Sequence, residues 1–128
     1  KVIYENIQFD SNLEKDFYLF LLKTNKKEDI IIQPTFELLP KFETKDNEKI
    51  RKTEYVGDFQ IGNIVYDVKT IITATPVFKL KEKMFKYYFK DLKLICMNKT
   101  TKEMQNNGWN EFDEYKKIEK YKKDKKRN

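Results

Sequence analysis

At 128 residues the chain has the length of one domain, enough to bury a single hydrophobic core. It has no histidine and a single cysteine, so an intrachain disulfide, an imidazole base and a Cys/His zinc site are all excluded, and any metal site must be built from oxygen ligands. The net charge of +6, with a pI near 9.2 and lysine as nearly all of the positive charge, suits a polyanionic partner and equally suits a lysine-rich composition from AT-rich coding.

The amino-terminal ten residues are mixed, with a short strand or arm expected through Val2-Tyr4. Ser11-Asn12-Leu13-Glu14 places a Ser at a helix N-cap with Glu three residues on, so a helix is expected from Ser11 to about Lys23. At 100° per residue, Leu13, Phe17, Phe20 and Leu21 form its apolar stripe and Glu14 lies on the stripe's edge. Glu14 has two readings, the capping box and a carboxylate aimed inward at chemistry, and they are compatible. A charged loop precedes Ile30 to Leu39, which reads as one strand with Pro34 marking an edge or a bulge. Residues 41–53 read as a polar loop. Its end, Arg51 and Lys52, is either an exposed basic loop or a phosphate contact.

Two β-rich runs, Tyr55-Ile61 and Ile64-Thr70, flank Gly62-Asn63, a Gly-first pair that signals a two-residue hairpin of type II′. With the turn centred there, Ile61 opposes Ile64 and Asp58 opposes Asp67, with Cβ atoms about 4.5 to 5.5 Å apart. Alternation adds Val56, Gln60, Val65 and Lys69 to that face and leaves Phe59, Ile61, Ile64, Tyr66 and Val68 for the core. Opposed like charges need compensation. A hard divalent cation supplies it, with Lys69 toward a bound water or phosphate oxygen, and so does a solvated strand face on which Lys69 neutralises one Asp.

Thr75-Pro76 is a helix start, Thr at N-cap and Pro at N1, for a helix to about Phe89. Its expected buried arc is Val77, Leu80, Met84, Phe85 and Tyr88, with Lys81 in the middle of the arc and Lys79, Lys83, Lys86 and Lys90 outside. Lys81 would face an anionic site or snorkel at the core's edge, and the outer lysines form a solvated face or contact DNA. Leu92-Met97 reads as a last strand with Cys96 as core packing. Residues 98–108 read as a polar connection, and Trp109, Phe112, Tyr115, Ile118 and Tyr121 are spaced for an amphipathic helix docking through Trp109 and Phe112, ahead of a basic tail. No apolar run approaches about 18 residues and no charged-then-apolar leader opens the chain, so neither a membrane span nor a signal peptide is expected.

The element order, helix, three strands, helix, strand, and the placement of Glu14, Asp58, Asp67-Val68-Lys69 and Lys81 resemble the PD-(D/E)xK nuclease superfamily. Short phage-encoded members are more closely similar, judged by F-D-S-x-x-E at 9–14, Q-P-x-F-E-L at 33–38, Y-V-x-D-F at 55–59, D-V-K-T at 67–70 and T-P-x-F-K-L-K-x-K at 75–83. The likeness spans roughly residues 9–97. It departs at Gly57, where the motif has Pro, and at Asp67, where Glu is commoner; neither change removes a ligand oxygen.

The resemblance implies an α/β (α+β) fold with a restriction-endonuclease-like αβββαβ core, a mixed sheet flanked by helices, in one domain over 1–128 with a helical extension from 98. It implies a Mg²⁺-dependent endonuclease, with Mn²⁺ substituting, that hydrolyses DNA phosphodiesters. Asp58, Asp67 and the Val68 carbonyl would hold the metal with Glu14, Lys69 would polarise water and Lys81 would steady a phosphate oxygen. Arg51, Lys52, Lys79, Lys83 and Lys86 would meet DNA. A Holliday-junction resolvase acting as a homodimer, in the cytoplasm of an infected host, is the specific form implied. The competing readings are an end-processing nuclease and a DNA-binding accessory protein without turnover.

Overall fold

The computed structural model describes residues 1–69, 75–99 and 109–111. The amino-terminal arm is a complete antiparallel hairpin of β1 (Val2–Tyr4) and β2 (Ile7–Phe9). Its link, Glu5 and Asn6 at φ 48° and 67°, has the two left-handed residues of a type I′ turn. Helix α1 (Asn12–Leu22) starts as expected, with the Ser11 hydroxyl accepting from the Glu14 amide at 3.2 Å, and it buries Phe17, Tyr18 and Leu21.

The strand expected over 30–39 is two strands, β3 (Ile31–Ile32) and β4 (Thr35–Leu39). Gln33 at φ 53° and Pro34, which lacks an amide donor, break the ladder between them and send the pieces to different partners. The loop expected over 41–53 contains a small hairpin, β5 (Phe42–Glu43) with β6 (Lys49–Ile50), turned at Asn47 with φ 64° and tied by Thr44 to Glu48.

The central hairpin has the expected turn and register. Gly62 sits at φ 57°, and Ile61 pairs with Ile64, Gln60 with Val65 and Phe59 with Tyr66 across β8 (Phe59–Ile61) and β9 (Ile64–Val68). Its first strand is shorter than expected, because the chain breaks at Gly57-Asp58 and the residues before it form β7 (Thr53–Val56), paired with β4. A Cβ on Gly57 would stand 2.7 Å from Val65 Cγ1 and 3.3 Å from Pro34 Cγ, so this crossing has room only for glycine.

Helix α2 (Pro76–Tyr88), capped by the Thr75 hydroxyl on the Phe78 amide, carries the chain back to β10 (Lys93–Lys99), which runs parallel to β9. A further strand, β11 (Trp109–Glu111), pairs antiparallel with β10 where a helix was expected. The rest of that expected helix, including Phe112, lies outside the described residues. The sheet order is β11-β10-β9-β8-β3, a mixed sheet in an α/β protein. Among the described residues no helix is long and apolar enough to cross a membrane.

Both faces of the hairpin are buried, whereas the alternation pointed to one. Phe59, Val68, Tyr66 and Ile61 pack with α1, Phe9 and Trp109, while Val65 and Tyr55 pack with Leu38 and with Phe85 of α2. Trp109 docks on Phe17 with centroids 4.8 Å apart. The Asp67 side of the hairpin is therefore covered by α2 and dry.

Helix α2 keeps Met84 and Phe85 of the expected arc against the core and departs from it elsewhere. Phe78, Phe85 and Phe89 face the core, while Val77, Leu80 and Tyr88 are exposed. The aromatic triplet fills the space over β4, with Phe36 edge-on to Phe85 at 4.9 Å and to Phe89 at 5.2 Å, and this outweighs the aliphatic stripe.

Candidate functional site

The site forms where β8 begins and β9 ends. At Asp58 the ladder slips: its amide donates to the Tyr66 carbonyl at 3.0 Å and its carbonyl accepts from the Gln33 amide at 2.9 Å. Its side chain replaces a strand, with Oδ2 accepting from the Val68 amide at 2.7 Å. Burial pushes the Asp58 carboxyl up to about 9, helped by the charge of Asp67 and a hydrogen bond with it, against the pull of the Val68 amide. A carboxyl that keeps its proton at neutral pH beside a second carboxyl is a site short of positive charge.

Asp67, 2% exposed, has its two oxygens divided. Oδ2 accepts from the Tyr55 hydroxyl, and Oδ1 stands 3.7 Å from Lys69 Nζ. Burial raises the Tyr55 phenol, and the charge of Asp67 raises it further, so it stays a donor. Lys69 is clamped along its backbone, its amide donating to the Met97 carbonyl at 2.9 Å and its carbonyl accepting from Asn98 Nδ2 at 2.6 Å. Its ammonium lies 4.3 Å from the centre of the Phe78 ring. Since a strand residue points both backbone groups the same way, Val68 directs its carbonyl toward the Asp58 edge with its amide.

Glu14 stands farther off. Its Oε2 accepts from the Asp10 amide at 3.3 Å, one residue beyond the usual capping-box partner. Burial raises its carboxyl above the usual range, the Asp10 amide opposes this, and the charges of Asp10, Asp67 and, with opposite sign, Lys69 act on it. Glu14 thus shares the electrostatic field of the pair without closing onto it. Among the described residues no three acidic or cysteine side chains stand close enough to hold an ion together. The chemistry the arrangement offers is a two-carboxylate, all-oxygen edge with one ammonium beside it, suited to a hard cation.

Lys81 is half-buried at the margin of α2, and Glu82 is the residue of that turn that engages the sheet. Its Oε2 accepts from Cys96 Sγ at 3.2 Å, and burial first, then this hydrogen bond and Glu82's charge, raise the thiol well above its ordinary value. Cys96, expected as core packing, is half-buried and outside both core clusters, held by this contact with Glu82. Lys79, Lys83 and Lys86 are exposed along α2, and Lys86 pairs with Glu82 at 3.7 Å. Arg51 and Lys52 line an open groove of about 600 Å³ with Lys41, Glu37 and Glu54, and Lys52 pairs with Glu54 at 3.5 Å. Glu37 and Glu54 are directly opposed in the ladder, so this groove has mixed charge. Tyr55, Glu82 and Asn98 were missed by sequence reasoning; only Tyr55, an aromatic three residues before Asp58 in a strand run, had a signal that could have found it.

A family model described as "Protein of unknown function (DUF1064)" matches residues 1–105. No curated protein and no solved structure matches the chain.

Proposed function

We propose, for a chain that belongs to the DUF1064 family of proteins of unknown function, that it is a divalent-metal-dependent deoxyribonuclease of PD-(D/E)xK type. The observation that carries this reading is the Asp58–Asp67 pair, Asp67 buried and Asp58 partly so, with Lys69 against it. The order α1, strands, β8–β9 hairpin, α2 and a parallel β10 is in keeping with the αβββαβ core of those enzymes.

The residues fit a Mg²⁺ ion. Burial, and then the charge of Asp67, hold the proton on Asp58, a proton that a cation would displace, and Asp67 and the Val68 carbonyl supply further hard oxygens on the same edge. A bound Mg²⁺ supplies Lewis acidity, which lowers the pKa of water and offsets charge growing on the phosphate. The protein's own part is positional. Tyr55 fixes Asp67 Oδ2 and so leaves Oδ1 as the outward oxygen. Lys69, braced by Met97, Asn98 and Phe78, would orient the attacking water and meet the phosphate's negative charge. With no histidine in the chain, the leaving oxygen would take its proton from solvent. DNA is the substrate, and a homodimer would place two such sites for symmetric cutting, as in a Holliday-junction resolvase.

A second reading, a DNA-binding accessory protein without turnover, is favoured by one observation: Glu14 does not close onto the pair. Junction, flap, duplex and single-stranded DNA incubated with Mg²⁺ separate the two. Cleavage abolished by Asp67→Ala and by EDTA, with DNA binding retained, supports the nuclease; binding without cleavage of any substrate supports the accessory protein.

A further inference from the structure

Helix α2 turns an unusual surface outward. Val77, Leu80, Tyr87 and Tyr88 are 63%, 57%, 65% and 56% exposed, four of the large apolar side chains that this protein leaves in water. They fall at i, i+3, i+10 and i+11, within about 100° of one another around the helix axis at 100° per residue. The stripe begins at Val77, one residue before Phe78, whose ring lies under the Lys69 ammonium on the inner side of the helix. It ends about 15 Å away, ten residues on at 1.5 Å each, where Tyr87 and Tyr88 stand edge to face at 5.1 Å and Lys90 lies over the Tyr87 ring at 4.8 Å.

Charge decides what this face meets. The helix carries Lys79, Lys81, Lys83 and Lys86 against a single Glu82, and Lys90 follows it. A second copy docked helix to helix would bring these lysines together, whereas an anionic chain with flat apolar faces satisfies both halves of the surface. Single-stranded nucleic acid has that chemistry: phosphates for the lysines and base faces for exposed tyrosines. Duplex DNA hides the faces of its bases in the stack and offers only backbone and groove edges, neither of which an exposed tyrosine can stack on.

We propose that the outer face of α2 is a platform for single-stranded DNA, with Tyr87 and Tyr88 stacking on bases and Lys79, Lys83 and Lys90 following the backbone. It deepens the nuclease reading by naming the part of the substrate that is unpaired: a flap, a splayed end or a junction arm.

The test is fluorescence anisotropy with a short labelled oligothymidylate and a duplex of equal length, in EDTA so that nothing is cut. Tyr87→Ala with Tyr88→Ala weakens single-strand binding by about tenfold or more, since stacking dominates such contacts. The Phe pair retains wild-type affinity, and duplex binding changes little. Unchanged single-strand affinity in the Ala pair, equal losses on both probes, or a dimer that the Ala pair dissociates would each overturn the proposal, the last assigning the face to a second copy. Because cutting is blocked, the result stands apart from the nuclease reading: a protein that stacks single strands but never cleaves them upholds the platform and removes the enzyme.

Discussion

Replacing Asp58 with Asn reads out the electrostatics of the site directly. The Asp58 carboxyl is pushed from its ordinary value of 3.8 up to about 9, so between those values the folded chain holds a proton that the unfolded chain has released. Stability from this group is therefore present at low pH and is lost as pH rises from about 4 toward 9. At about 1.4 kcal/mol per unit, the roughly three units from 3.8 to neutral pH set a ceiling near 4 kcal/mol. Asp58 is only partly shielded from solvent, and screening brings the expected cost to about 2 kcal/mol. Asn keeps a carbonyl oxygen for the Val68 amide and carries no charge. In metal-free buffer Asp58→Asn is expected to be more stable than the parent by about 2 kcal/mol at pH 7, with the difference vanishing at pH 4 and growing toward pH 9. Urea denaturation at those three pH values measures it. A variant less stable at pH 7, or a difference that does not grow with pH, refutes the reasoning.

Tyr55→Phe removes the hydroxyl donor of a buried carboxylate and should cost about 2 kcal/mol in thermal unfolding; an unchanged melting temperature would mean that Asp67 finds another donor. Gly57→Ala forces a methyl to 2.7 Å from Val65 Cγ1, for an expected loss of about 1–3 kcal/mol seen in denaturant midpoints, and a neutral outcome would contradict the close crossing. Among the described residues the buried Tyr18 hydroxyl has no hydrogen-bond partner, so Tyr18→Phe should be neutral or stabilising by up to about 1 kcal/mol, checked the same way.

Where the sequence was legible, local chemistry coincided with global packing. Ser11 and Thr75 cap the two helices because each side-chain oxygen meets an orphan amide three residues on. Gly62-Asn63 sets the hairpin register because glycine takes the positive φ of 57° at no steric cost. That register carries Lys69 to the side of Asp67, while Asp58 comes near through the slip before β8 and not by direct opposition. The errors came from tertiary choices that periodicity does not encode. The arc of α2 held Phe85 as expected but took Phe78 in place of Val77, Leu80 and Tyr88, because aromatic partners waited on β4 and β7. Trp109 entered a strand because the edge of β10 was open to pairing. The strand over 30–39 broke at Gln33, whose left-handed backbone has no composition signal, and Asn98 joined the site through its side chain from a stretch that reads as a polar connection.

The most direct measurement is calorimetric titration of Mn²⁺ into the metal-free protein at pH 7, repeated in buffers of different ionisation enthalpy. If Asp58 holds a proton because the pair lacks a cation, binding releases about one proton and Asp58→Asn binds with no release. Binding without proton release in the parent protein, or no binding at all, contradicts a metal site at the Asp58–Asp67 pair.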